Sequence, residues 1–416
     1  MAKLRRFLLW IAFLAALLLL PQLFDSVLSL SILNQMGITI IFALSYNMLL
    51  GQGGMLSFGH AVYFGLGGFM AVHSLNYIEE QVFTMPVILL PLIGGLFGLL
   101  FALFIGSFST RRAGTVFAMI SLGIGEMIAA CSLIFVGFFG GEEGISGDRT
   151  MAPEFFGFDF AQDIEVYYLI AAWVFVATML MYLFSQTPAG RIANAVRDNP
   201  ERAEFIGYSQ RMVRFISFCG AGFFAGIAGG LFAINYEILT EENLNAITSG
   251  NVLLMTYIGG TGVFAGPIVG AVLLTLLQTV LSNYTELWQL YVGLLFVATV
   301  MFMPAGLTGV FMIHAIAWRT GRLKRLILPY ITVGIPAMAF LCAMIGLLEM
   351  LQFYRHSIAG EYEMSLLFLA IDTSSAWPWV VTLLIGASAG YMVKLSIPRL
   401  QSAWATANAP LERAET

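Results

Sequence analysis

Charge is scarce in this chain. Only 10% of its 416 residues are Asp, Glu, Lys or Arg, where a soluble domain is nearer about 25%. So few charges cannot clothe a water-facing surface, which excludes a soluble globular protein. Cysteine is almost missing: Cys131, Cys219 and Cys342 lie far apart inside apolar runs and give neither a disulfide nor a metal motif. The four histidines are equally scattered, with no pair at the short spacings of zinc ligands. No basic stripe offers itself to nucleic acid. The chain lacks a Gly-x-x-x-x-Gly-Lys-Ser/Thr loop, so any ATP and its magnesium have to be held elsewhere. No nucleophile-base pair, metal spacing or paired carboxylates mark an active site within the apolar segments. The expectation is a non-enzyme that binds no cofactor or metal itself.

What is present is apolar. Hydrophobic residues make up 59%, with 43 glycines and 35 phenylalanines. Small residues let membrane helices approach closely, and aromatics suit lipid and its interface. Apolar runs fall near 7–24, 30–50, 58–73, 86–108, 115–138, 166–185, 215–238, 249–281, 289–313, 326–349 and 375–393. Most can cross an oily layer of roughly 30 Å at about 1.5 Å per residue. The expected fold is an all-α polytopic transmembrane bundle of about 10 to 11 membrane segments, with interrupted or re-entrant helices. No small-x-small cleavage site follows Phe7 to Leu20, so this stretch is read as a retained first helix.

Loop charges give an orientation. With both termini inside, 17 of the 19 basic residues lie inside, Arg322 and Arg413 among them, and only Arg149 and Arg355 lie outside. This scheme requires 249–281 to begin and end outside. Its 33 residues would make a straight helix of about 50 Å, too long for one ordinary span. The run is also broken by Gly259-Gly260-Thr261-Gly262 and Gly266-Pro267. A hairpin of two short helices with a buried tip is expected. Gly53-Gly54-Met55-Leu56-Ser57-Phe58-Gly59-His60 shares Gly-Gly-x-x-x-Phe with that tip at an offset of 206. The pair suggests a two-fold internal repeat, about 30–140 and 166–313, as transporter cores show. Glycines that merely pack helices are the plainer alternative.

The loop 186–214 is the longest inner one. Pro188 suits a first helical turn, Asp198 or Asn199 can cap a second short helix opened by Pro200, and Gly207 can end it. Such a lever beneath a membrane core suits contact with a cytoplasmic partner; a solvated basic loop is the alternative.

Several stretches carry a family resemblance. Glu201-Arg202-Ala203-Glu204-Phe205-Ile206-Gly207 resembles the Glu-Ala-Ala-x-x-x-Gly signature of ABC importer permeases, with Arg202 replacing an alanine. Gly190-Arg191, Ala195-Val196-Arg197-Asp198-Asn199, the Asn47 to Ala61 stretch, Gly140 to Gly147, Ile258 to Ala271 and Pro304-Ala305-Gly306-Leu307 are similar to LivM-type branched-chain amino-acid permeases. Gln52 and Met55 depart from the family's usual residues, and 326–393 lies beyond its usual core.

The resemblance implies a multi-pass bacterial inner-membrane permease for a small solute, foremost a branched-chain or other hydrophobic amino acid. Urea, short amides and aromatic acids are served by related permeases. It also implies a second, LivH-like permease, two ATPase subunits and a periplasmic binding protein. An ion-coupled secondary transporter and a membrane scaffold are the rivals from other classes. The expected division is 1–29 as the first helix, 30–313 as the permease core and 314–416 as an extension with two further spans.

Candidate pathway residues are Asn47, Ser57, Gly59, His60, Gly259, Gly260, Gly262, Gly266 and Glu126. Glu126 is the acidic residue deep within an apolar run, and its charge is expected to face the bundle interior. It either lines the path or is a structural carboxyl bonded to a carbonyl or to Ser121. Candidate ATPase-coupling residues are Gly190, Arg191, Arg197, Asp198, Glu201, Ala203, Glu204 and Gly207.

Overall fold

The computed structural model describes residues 2–155, 157–319, 321, 323–357, 362–366 and 369–408; Arg322 and Arg413 lie outside them. The fold is an all-α polytopic bundle. Among the described residues, eight helices are long and apolar enough to cross a membrane, and Phe7–Leu23 and Gly266–Leu281 are shorter apolar helices. Among the described residues, strands are confined to β1 (Ile145–Ser146) with β2 (Ile238–Leu239) and β3 (Glu363–Leu366) with β4 (Leu369–Asp372), both pairs antiparallel.

The chain forms two compact units, residues 1–283 with 289–309, and residues 284–288 with 310–416. The first contains α1 (Ala2–Leu23), α2 (Val27–Asn47, extended by a π turn Met48–Gln52), α3 (Ala61–Glu79), α4 (Leu90–Ser109) and α5 (Thr115–Ile134). A short α6 (Val136–Phe139) precedes α7 (Asp163–Gln186), α8 (Pro188–Asp198), α9 (Pro200–Phe205) and α10 (Gln210–Tyr236). Then come α11 (Ala246–Gly259), α12 (Gly266–Leu276, extended by a π turn Leu277–Leu281) and α13 (Trp288–Phe302). The first unit takes in α1, whose Leu17 carbonyl accepts a 2.7 Å hydrogen bond from the Tyr167 hydroxyl of α7.

Glycine sets the packing of α10, the most buried span, with 72% of its apolar window inside the protein. Gly222, Gly226 and Gly230 repeat every fourth residue, so one face of α10 is bare backbone. A methyl group on Gly226 would overlap the Gly94 carbonyl of α4, and one on Gly229 the Phe64 carbonyl of α3. Small residues at this spacing let backbones touch, and in lipid that contact supplies much of the association energy. α2 is buried continuously from Gly37 to Leu49, which is why its apolar residues show no preferred face in sequence.

The expected span over 289–313 is present as Trp288–Ala315, with a short break inside it. α13 stops at Phe302 and α14 (Gly306–Arg319) restarts. Pro304 has no amide to continue the ladder, and Gly306 turns the chain with φ +69.

The second unit contains the long helices α15 (Lys324–His356) and α16 (Ala376–Asn408), packed on each other. Glu349 accepts a 2.6 Å hydrogen bond from Thr285, and Gln352 donates to Glu286 at 2.8 Å. Only 11% of the apolar window of either helix is buried, which leaves both with apolar surface suited to lipid.

Candidate functional site

Two interrupted helix pairs meet at the centre of the first unit. In the first pair, α2 and α3 run antiparallel around the loop 53–60: the Tyr46 hydroxyl donates to the Ser57 carbonyl at 2.8 Å, and Phe42 packs on Phe64 with ring centres 4.7 Å apart. In the second, α11 and α12 run antiparallel around 260–265. A methyl on Gly270 would overlap the Met255 carbonyl, and one on Gly259 the Gly266 carbonyl. The expected hairpin over 249–281 is therefore present in shape. Gly260, with φ +109, makes the turn, and Pro267 opens α12 where a first-turn amide has no helical partner.

The two tips adjoin. A Cβ on Gly51 would sit 2.8 Å from the Thr261 carbonyl, the Thr256 hydroxyl lies 3.3 Å from the Ala43 carbonyl and 2.8 Å from that of Val252 in its own helix, and the Thr39 and Thr275 hydroxyls are 3.0 Å apart. The second tip also rests on the turn before α14: Thr308 donates to the Gly259 carbonyl at 2.8 Å, and Gly306 abuts Gly260. Gly262, on the crest, has open space around it.

His60 is fully buried between Phe42, stacked at 5.4 Å, and the edge of Tyr46. The Ser45 hydroxyl donates to the Phe42 carbonyl at 2.7 Å, so its 2.9 Å contact with Nε2 of His60 uses the ring proton. That assignment leaves Nδ1 as a bare acceptor. Nδ1 has no partner among the described residues, nor do Asn47 Oδ1, Gln52 Oε1 and Ser57 Oγ. Buried polar atoms are normally satisfied, so the first tip is polar beyond its internal needs. Gly59 lies against the Ser121 carbonyl of α5, and the Phe58 amide donates to the Ser121 hydroxyl at 3.0 Å.

Glu126 corrects the expectation that it faces inward. α5 buries Ser121, Gly125 and Ala129 and turns Glu126 to its exposed side, with Met119 and Met127. The i, i+4, i+8 spacing of the small residues fixes that rotation: Gly125 packs on Gly59, and its neighbour in sequence points elsewhere. Ser121 is engaged by Phe58 and Ala118.

Beneath the tips lies the lever. Thr187 caps α8 by accepting from the Gly190 amide at 3.3 Å. Gly190, Ala193 and Val196 form its buried edge, while Arg191 is exposed. Asn199, rather than Asp198, caps α9, accepting from the Arg202 amide at 2.9 Å; Asp198 instead accepts from Arg197 Nε at 2.9 Å. Ala203 is buried, Glu201 and Glu204 are exposed, and Gly207 ends the helix with φ +93. Arg197 donates from Nη1 to the Gly51 carbonyl and lies against Gly54. Phe205 and Ile206 project outward, and an apolar groove lined by Ile192, Tyr208, Met212, Val213 and Ile216 runs between α8 and α10.

At the opposite end of α7 and α10 sits Arg149, one of the two basic residues that the charge scheme puts outside. It is buried, and donates to the carbonyls of Phe160, Ile234 and Asn235 at 2.8, 3.2 and 3.4 Å. Asp163 and Glu237 lie 3.6 and 3.8 Å from its guanidinium. Beside it, Asp148 accepts from the Thr150 hydroxyl and amide, which holds its carboxyl below the usual aspartate range.

The family model described as "Branched-chain amino acid transport system / permease component" matches residues 28–304, and the chain belongs to that family. It is a multi-pass inner-membrane protein of a transport-permease family. It is 25% identical over 291 residues to the high-affinity branched-chain amino acid transport system permease protein LivM of Escherichia coli, covering 65% of this chain and 67% of that protein. A probable branched-chain amino acid transport permease protein LivM of Methanocaldococcus jannaschii is 23% identical, over 66% of this chain and 92% of its own length. The autoinducer 2 import system permease protein LsrC of Klebsiella pneumoniae is 31% identical over 116 residues, 26% of this chain and 34% of its own. No solved structure matches.

Proposed function

We propose that this chain is one of two permease subunits of an ABC importer. α8 and α9 dock an ATPase subunit, and a periplasmic protein delivers a small solute, foremost a branched-chain or other hydrophobic amino acid. The observation that carries the reading is the lever. A capped pair of short helices exposes Phe205, at 90% exposure, and Ile206 beside an apolar groove, at the end of the bundle that lies under the glycine tips. Exposed apolar groups rimmed by Arg191, Glu201 and Glu204 fit a protein partner better than solvent. With the basic loops inside, this end and both chain termini are cytoplasmic, and the partner supplies ATP and magnesium.

Glu126 supports a second permease. A carboxyl at the middle of a span, turned outward, is costly against lipid, about 2.5–3.5 kcal/mol on insertion scales for comparable charges. A second, LivH-like permease facing α5 removes that cost and places Glu126 at the edge of a path shared by the two subunits. The similarity over 116 residues to an autoinducer 2 permease is a reason to keep the choice of solute open. Substrate choice is therefore tested directly, with labelled leucine, urea, acetamide and benzoate on the cognate binding protein and on reconstituted vesicles. ATP-driven uptake that requires the ATPase subunits supports the reading. Uptake driven by an ion gradient without them refutes it. Ala203→Arg, which puts a long charge into the buried side of α9, is expected to release the ATPase subunits in pull-down while the permease still inserts.

A further inference from the structure

We propose that Arg197 is the positioning residue that carries movement of the lever to the two glycine tips, and that Gly51 is where this movement enters the membrane core. The inference rests on the importer reading given above.

The argument starts from helix ends. The last carbonyls of a helix have no partner within it. At the end of α2, the π turn hands two of them on: Leu50 accepts from the Gly54 amide at 3.1 Å and Leu49 from the Met55 amide at 2.9 Å. The Gly51 carbonyl is the next in line, and the Arg197 guanidinium takes it. Arg197 stands at the last turn of α8, where the helix dipole favours a cation. Asp198 holds its Nε from the other side.

The contact is shaped as well as charged. Gly54 has φ +64, and a Cβ there would stand 2.8 Å from Arg197 Cγ. The stem of Arg197 thus lies on the bare backbone of the first tip while its head holds the carbonyl. From the other side, Gly51 abuts the Thr261 carbonyl of the second tip. Three elements therefore converge on one glycine: the end of α2, the second tip and the lever. A displacement of α8 moves the Gly51 carbonyl, and with it both interrupted pairs.

The rest of α8 divides the labour. Gly190, Ala193 and Val196 pack it under the bundle, and the α9 face with Phe205 and Ile206 points away from it. Arg197 reaches from the lever to the tip, so its removal should separate ATP hydrolysis from solute movement without detaching the partner.

The test uses the full complex in proteoliposomes, with the solute from the panel above that the wild-type complex takes up. Arg197→Met keeps the stem and removes the donors; Arg197→Lys keeps one charged donor. A charge-assisted hydrogen bond at this point corresponds to about a ten-fold effect. The expected result is that Arg197→Met lowers solute moved per ATP hydrolysed about ten-fold, with the ATPase subunits retained in pull-down, and that Arg197→Lys falls between it and wild type. A wild-type transport ratio in Arg197→Met overturns the inference. So does loss of the ATPase subunits as complete as in Ala203→Arg, because Arg197 would then serve docking. If Arg197→Met does not yield a monodisperse complex, Arg197→Lys decides: an intermediate ratio supports the inference and a wild-type ratio overturns it. A wild-type complex without ATP-driven uptake overturns the importer reading and this inference together, and needs no variant to be recognised.

Discussion

Arg149 and Arg197 occupy opposite ends of α7 and α10, and they are held in opposite ways. Arg149 is saturated: three carbonyls, two carboxylates nearby and a side chain 11% exposed. Arg197 has one carbonyl, one adjacent aspartate and a side chain 36% exposed. The first ties a loop to two helix ends and leaves it little freedom. The second joins a lever to a tip through one contact that can be strained and re-made. One end of the unit is fastened, and the other is built for transmission.

The largest expected effect comes from breaking the fastened end. Arg149→Met leaves three carbonyls without their donor, and the unpaired groups cost about 3 kcal/mol in total once their partial access to water is allowed for. The thermal midpoint of the purified protein should fall sharply, and the 140–162 loop should become open to protease. An unaltered midpoint would show that the guanidinium is not what holds this end.

Gly207→Val probes the other end. A β-branched residue at φ +93 costs about 1–3 kcal/mol locally. α9 should lose its C-terminal turn and the complex its ATPase subunits, while the thermal midpoint moves by much less than in Arg149→Met. Equal drops in the two variants would erase the contrast between the ends.

Glu237→Gln is gentler. The amide oxygen can still accept from the Arg149 main-chain amide, now at 2.9 Å, so only the 3.8 Å ion pair is lost. Its partly exposed setting limits the change to about 0.5 kcal/mol. A loss as large as in Arg149→Met would mean that the ion pair outweighs the carbonyls.

Thr150→Val should have the smallest effect. The Thr150 hydroxyl and amide depress the Asp148 pKa. The stabilisation they give is present above the ordinary aspartate pKa, near 3.9, and is lost as pH falls through the lower folded value. Removing the hydroxyl should raise the pH at which the loop opens to protease on acidification. No shift in that pH would show that the hydroxyl does not set the carboxyl.

Much of this architecture was legible in hydropathy and glycine spacing. The helical class, the hairpin over 249–281 and the starts of the two lever helices follow from run length, Gly-Gly breaks, Pro188 and Pro200, whereas Thr187 as the first cap and the choice of Asn199 over Asp198 came from the structure. The rotation of α5 was not legible. In lipid a helix can be apolar all round, so its sequence does not say which side meets protein, and the lone carboxyl of Glu126 was assigned inward on cost alone. The signal was in the small residues, Ser121, Gly125 and Ala129, which mark the packed face. Arg149 was counted as charge, but its role depends on carbonyls far along the chain, which no local pattern announces. The Arg197 contact was hidden for the same reason: a leftover carbonyl at a π turn carries no residue identity beyond Gly51.

The Arg149 staple also constrains biogenesis. Its guanidinium belongs with Ile234, Asn235 and Glu237, the last of them 88 residues later in the chain. At about 5–20 residues per second, the ribosome delivers that stretch roughly 4–18 s after Arg149. During that interval the loop has no anchor on α10, and β1 has no strand to pair with until Ile238 and Leu239 arrive. The loop can lock only after α7, the lever and α10 have entered in turn. Its closure thus marks the point at which synthesis has passed α10, and a nascent chain arrested before Tyr236 should display the 140–162 stretch as an open substrate for quality-control proteases.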